Sequence, residues 1–414
     1  MESNVRWLAL GAVIRASGMS LVAPFFFLYL RNVLALGYVE IGLLVAVTGV
    51  VPLALAPFAG LLTDRVGRRP VILVSLLAEA GALLLVAAAM QARWLLGILV
   101  LVTLVQTVGS VAGPAISAYV ADFVSGSDRT TGYTWVRIGW NVGFTLGVLF
   151  GGVLIGFLGF VHVALLAGGV LFAGTTFLAV ALDPSPYDRG RPSRGAPAAP
   201  ATFPARPGSI RASARRLARD RPFLALCAAM GLASLTLGQW SVTFPLYVNS
   251  VLGIPYAVLG IGLSLNGLLV VFGQSAKTRA SLGHRHTSLL VVGSALYGGS
   301  FLLLGASGLL AAAVVPLFFA VVVVLTVGEN LGSIPMTTLP SNLAPASEIG
   351  VYNGTFQAIV SVGQVLAPTL GGLVLATGAA PFVVWAALCA PLAPALLVVG
   401  LYVQPRLDPT ANRA

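Results

Sequence analysis

The sequence predicts an all-α membrane protein: twelve transmembrane helices forming two pseudo-symmetric six-helix bundles. Three observations predict it. In composition, 58% of the 414 residues are hydrophobic and only 8% charged, against about 25% charged in an ordinary soluble domain. The chain is also a succession of apolar runs, each near the ~20 residues a helix needs to cross the hydrocarbon core. Finally, it repeats itself weakly. Gly143–Gly152 aligns with Gly363–Gly372 at an offset of 220, Pro114 with Pro335 at 221, and Gly67 and Arg69 with Gly283 and Arg285 at 216.

The spans read in order as 8–30, 39–62, 70–91, 94–120, 134–156, 160–181, 223–247, 257–277, 287–306, 309–333, 350–376 and 380–403. The connection from Gly156 to Phe160 is so short that its two helices must be antiparallel neighbours. Basic loops punctuate the rest. Arg6 precedes the first span; Arg65, Arg68 and Arg69 lie between the second and third, and Arg129 before the fifth. Nine arginines from Arg189 to Arg221 follow the sixth; Lys277, Arg279 and Arg285 precede the ninth, and Arg406 and Arg413 follow the last. With the N-terminus inside, 19 of the 23 basic residues are cytoplasmic and only Arg31 and Arg93 lie opposite. The positive-inside rule therefore places both termini in the cytoplasm. This distribution accounts for the net charge of +11 without nucleic acid as a partner.

The domains expected are an N-terminal bundle, 1–182, a basic Pro/Arg-rich cytoplasmic linker, 183–222, and a C-terminal bundle, 223–414. The N-terminal part of the linker is expected to be flexible, and Ile210–Asp220 to form a short basic helix on the membrane surface. Cys227 and Cys389 lie inside apolar runs of different halves and indicate no disulfide. No cleavable signal is expected, because the first apolar run continues to Leu30 with no small-x-small site.

Gly60-Leu-Leu-Thr-Asp64-Arg65-Val-Gly67-Arg68-Arg69 packs one acid and three arginines into a turn between two spans. The pattern resembles the signature loop between helices 2 and 3 of the major facilitator superfamily. The resemblance covers essentially the whole chain and implies that family's fold, with helices 1, 4, 7 and 10 lining a central cavity. It implies a gating set: Gly60 and Gly67 for close approach, Asp64 to cap helix 11 when the cytoplasmic side closes, and Arg68 to pair with Asp122. Arg65, Arg69 and Arg129 join that network. The second copy, Ala276–Arg285, contains no acid, so the latch is asymmetric.

Ionisable groups are costly in hydrocarbon, about 2.5–3.5 kcal/mol on insertion scales, so those inside spans are the first functional candidates. Arg15, in a helix 1 pattern similar to efflux-like members of the family, is read either as a counter-charge for an anionic substrate or as a structural pair. Glu329, in Gly328-Glu329-Asn330 ahead of Pro335, sits near the middle of its span and resembles a helix 10 pattern of the same members. It is the first candidate proton carrier. Glu79 lies at a depth similar to Arg15, and either a pair with it or a proton relay is open. Gln106, Gln239, Trp240 and Asn266 are expected cavity contacts. Arg137, near the cytoplasmic end of helix 5, is read as structural.

Two departures weaken an antiporter reading. The helix 4 position where the family often has an arginine falls near apolar Val102, and the helix 5 Gly-Pro is Gly147-Val148 here. Gly139, Gly143, Gly147 and Gly151 still offer a small-residue face at i, i+4 spacing. No G-x-x-x-x-G-K-[ST] and no metal-ligand cluster occur, so the sequence implies no cofactor, no metal and no enzyme activity. The expectation is a monomeric secondary transporter in a plasma (inner) membrane, prokaryotic by its Arg- and Ala-rich composition, working by alternating access. Its partners are the bilayer, protons and a small molecule. Proton-coupled efflux of lipophilic or amphipathic compounds leads; uniport or symport of a small organic anion, and a non-transporting membrane sensor, are the alternatives.

Overall fold

The computed structural model describes residues 3–124, 128–189, 215–281, 283–345, 348–408 and 412. Every regular element among them is helical. Among the described residues, eleven helical stretches are long and apolar enough to cross a membrane. One of them, Thr131–Ala181, has 51 residues, about 75 Å at ~1.5 Å per residue and far beyond one bilayer. Gly159 breaks it with φ 78° and ψ 167°, so the stretch makes two spans and the count becomes twelve.

We number the spans α1 (Ser3–Asn32), α2 (Tyr38–Val66), α3 (Arg68–Gln91), α4 (Leu95–Phe123), α5 (128–158) and α6 (160–181). The second series is α7 (Arg221–Val251), α8 (Tyr256–Ser281), α9 (His286–Gly305), α10 (Val314–Leu343), α11 (Ile349–Ala376) and α12 (Pro381–Arg406). Proline removes a backbone donor from a span, yet of Pro24, Pro114, Pro335, Pro340 and Pro368 only Pro24 coincides with a break; the others lie inside unbroken helices. A 3₁₀ turn at Ala23–Phe25 contains Pro24, and Pro114, Pro335, Pro340 and Pro368 lie inside α4, α10 and α11. Large apolar side chains such as Phe157, Val180 and Phe272 are exposed on the outer faces. In water such a surface would aggregate; in a bilayer it meets acyl chains.

The chain divides into two compact units: residues 1–36, 44–197 and 253–268 form the first, and 37–43, 198–252 and 269–414 the second. The boundaries cut α2 and α8. Gly42, at the start of α2, lies against the backbone of Pro368, and the Thr369 hydroxyl donates to its carbonyl at 3.1 Å. At the start of α8, Gly260 lies against Gly152, and the Ser264 hydroxyl donates to the Thr145 carbonyl at 3.0 Å.

Within the first unit α1 is seated on α5 by the glycine face. A Cβ at Gly139, Gly143, Gly147 or Gly151 would run into the backbone oxygen of Ala9, Val13, Ser17 or Leu21 respectively. The two helices thus meet backbone to backbone over three turns. Ser17 and Ser20 add hydroxyl bonds to the Gly143 and Phe144 carbonyls at 3.1 and 3.0 Å. Gly143→Val is expected to wedge this seam open. Overpacking of that kind costs about 1–3 kcal/mol or more, and loss of the monodisperse peak on size exclusion in mild detergent checks it.

Of the linker expected at 183–222, residues 190–214 lie outside the described residues, including the first half of the surface helix expected at 210–220. Residues 183–189 do not behave as free linker. The Asp183 backbone N–H donates to Asn4 at 3.0 Å, the Tyr119 hydroxyl donates to the Asp183 carbonyl at 2.6 Å, and Ser185 is buried.

Candidate functional site

Three cavities gather the polar groups of the spans, two in the first unit and one in the second. The first, about 610 Å³, is lined by α1, α3, α4, α5 and α6. Arg15 on α1 borders it and reaches away from it to Glu79 on α3. Its Nε and Nη2 donate to the two carboxylate oxygens at 2.8 and 3.0 Å, and Nη2 also donates to the Gly109 carbonyl at 3.0 Å. The Glu79 side chain is 1% exposed and that of Arg15 11%. Gly109 has no room for a side chain, since a Cβ there would lie 2.8 Å from Glu79 Oε1. The Trp140 ring covers the other side of the guanidinium, with its centroid 5.3 Å away. Arg15 and Glu79 form one closed, charge-neutral unit.

The second cavity, about 470 Å³, belongs to the other unit and is lined from α7, α9, α10 and α11. Close approach of α9 and α10 makes it: Gly293 and Gly328 each lie against the other helix's backbone. Glu329, next to Gly328, borders this cavity together with Trp240, Tyr297, Ser333 and Gln364. The Tyr297 hydroxyl donates to the Leu237 carbonyl at 3.2 Å, which orients the ring at the cavity wall.

The remaining expected contacts are dispersed. Gln106 lines a separate, largely apolar cavity of about 210 Å³ beside Thr48, with Val102 on the same wall. Gln239 is fully buried and does not reach the Glu329 cavity. Its amide donates to the Leu235 and Ala367 carbonyls at 2.7 and 3.0 Å and accepts from Thr243, which ties α7 to α11. Asn266 is half-buried on α8.

The signature loop is held from an unexpected direction. Gly67 has φ 108°, a conformation that glycine adopts freely, and a Cβ there would collide with Asp188. That carboxylate accepts from the backbone N–H groups of Arg68 and Arg69 at 2.7 and 3.1 Å, so it caps the unpaired N-terminus of α3. Arg69 in turn donates to the carbonyl of Leu182, just past α6, and to that of Ala179 in its last turn, at 2.8 and 2.6 Å. Arg68 donates to Asp64 at 2.7 Å, lies 3.7 Å from Asp122, and stacks on Tyr187 with its guanidinium carbon 3.9 Å from the ring centroid. Asp64 is itself exposed, as is Arg65. The side chain of Arg129 lies outside the described residues, and Gly60 is a helical residue of α2.

The second unit repeats the capping device with a neutral residue. At the start of α9 the backbone carbonyl of Asn412 accepts from the His286 N–H at 2.8 Å, and its side-chain Oδ1 from the Thr287 N–H at 3.0 Å. Asp188 and Asn412 each follow the last helix of their repeat. Sequence reasoning passed over both, because no local pattern marks a cap that arrives from more than a hundred residues away.

The family model described as Major Facilitator Superfamily matches residues 8–303. "Hippocampus abundant transcript-like protein 1" of Rattus norvegicus is 26% identical over 344 residues, 80% of this chain and 63% of that protein. "Tetracycline resistance protein, class B" of Escherichia coli is 29% identical over 154 residues, 37% of each chain. These matches span from about a third to just under two thirds of the curated relatives' length. Among solved structures, a bacterial homologue of the human lysosomal transporter Spinster superposes with a TM-score of 0.69 at 14% identity, covering 99% of this chain and 98% of that one.

Proposed function

The chain belongs to the major facilitator superfamily, and from that premise we propose that it is a proton-coupled secondary transporter exporting small lipophilic or amphipathic compounds by alternating access. The observation that carries the coupling is the contrast between its two intramembrane acids. Glu79 is engaged through both oxygens by Arg15 and is sealed from the adjacent cavity. Glu329 borders a cavity large enough for a small molecule and water. A carboxyl that exchanges protons must be reachable, so Glu329 is the carrier and Glu79 the counter-ion of Arg15. The tetracycline resistance protein among the relatives supports a drug-like cargo.

In this reading the two halves rock about the bound compound. The Asp64–Arg68–Asp122 cluster gates the cytoplasmic side: when that side closes, Asp64 leaves Arg68 and caps the N-terminus of α11. Arginine placement supports an orientation with both termini in the cytoplasm. An organic-anion uniporter organised around Arg15 is disfavoured, because the guanidinium is already occupied by Glu79, Gly109 and Trp140.

The test is transport by purified full-length protein in proteoliposomes. An imposed pH gradient is expected to drive an amphipathic fluorophore against its concentration gradient, and a protonophore to collapse the accumulation. Movement of the fluorophore that ignores the pH gradient would contradict the proposal.

A further inference from the structure

The 610 Å³ cavity of the first unit has a charge imbalance that transport alone does not explain. Its two cations are Arg15 and Arg137, and no Asp or Glu lines it. Glu79 neutralises Arg15 from behind. Arg137 is exposed and has no hydrogen-bond or ion-pair partner among the described residues, so among them no acid pairs with this cation of the cavity lining. The sequence marks Arg137 as structural, yet among the described residues no bond holds it.

The α5 backbone explains how the group is presented. Tyr133, Arg137, Trp140 and Asn141 stand at i, i+4, i+7 and i+8 and share one face of the helix. That face lines the cavity, while Gly139 and Gly143 turn toward α1. The opposite walls are apolar, with Leu8, Ile72, Leu76 and Leu178 among them. A cation at the edge of a low-dielectric cleft draws in negative charge, and the Trp140 and Tyr133 rings supply flat apolar surface.

We propose that this cavity binds an amphipathic monoanion, with the acid group on Arg137, the polar edge on Asn141 and the hydrocarbon body against the apolar wall. Arg15 positions Trp140 and does not contact the acid. The proposal rests on the transporter reading only in making this ligand the cargo; the binding site stands or fails by itself.

Binding in detergent, with no gradient present, separates the two claims. The probe is dansyl-undecanoate, read by energy transfer from tryptophan, with its uncharged methyl ester as the control. Wild type is expected to bind the acid well above the ester. Arg137→Gln should weaken the acid by about ten- to a hundredfold, the range of a lost charge-assisted hydrogen bond, and leave the ester unchanged. Arg137→Lys should restore part of the preference, and Trp140→Phe should lower the energy-transfer signal. Displacement by lysophosphatidylglycerol alone would assign the acid to a membrane lipid, and displacement by decanoate as well to free amphiphiles; both support the site. Equal affinity of acid and ester in wild type, or an acid affinity unchanged in monodisperse Arg137→Gln protein, would overturn it. Intact binding with no transport in proteoliposomes would defeat the transporter reading and spare the site.

Discussion

Glu79→Gln and Arg15→Ala are each expected to destabilise the protein strongly, and the double replacement to recover part of the loss. The two side chains are 1% and 11% exposed and neutralise each other through two hydrogen bonds. Removing one partner leaves the other buried and uncompensated, which costs about 3–5 kcal/mol in comparable pairs. Removing both deletes the desolvation penalty along with the attraction. The check is the melting temperature of the purified variants in one detergent, followed by intrinsic fluorescence. A Glu79→Gln protein that melts like wild type would show that the pair is not structural and would restore Glu79 as a proton relay.

The second large effect concerns coupling. Glu329→Gln keeps the side chain's size and hydrogen-bonding ability but cannot lose a proton at any physiological pH. The variant is expected to fold, bind cargo and exchange labelled for unlabelled cargo across the bilayer. Accumulation driven by a pH gradient should fall at least tenfold. Loss of exchange together with accumulation would mean that Glu329 holds the cargo or the fold and does not set the coupling.

The spans were legible because each is a run of apolar residues bounded by charge or by glycine, and lipid imposes that pattern locally. The glycine face of α5 was legible for a similar reason: four glycines at i, i+4 spacing state that another backbone approaches, without naming α1 as that backbone. Proximity of Arg15 to Glu79 could be read from their depth in two helices. Its completion by Gly109 and Trp140 could not, since nothing in the sequence of α4 or α5 points at α1. Asp188 and Asn412 were hidden by distance along the chain. Arg137 reads in the sequence only as an arginine near a helix end, which serves topology; that it lines a cavity with apolar walls was not legible there. Gln239 erred in the other direction, because a polar residue in mid-span looks like a cargo contact until its amide is found bonded to two backbone carbonyls.

The most direct measurement is proton movement in proteoliposomes loaded with a pH dye, comparing wild type with Glu329→Gln as amphipathic compounds of either charge are added. The account predicts a cargo-dependent proton flux in wild type that is absent from the variant while cargo exchange persists. A flux of equal size in both proteins, or cargo movement with no proton flux in wild type, would contradict it.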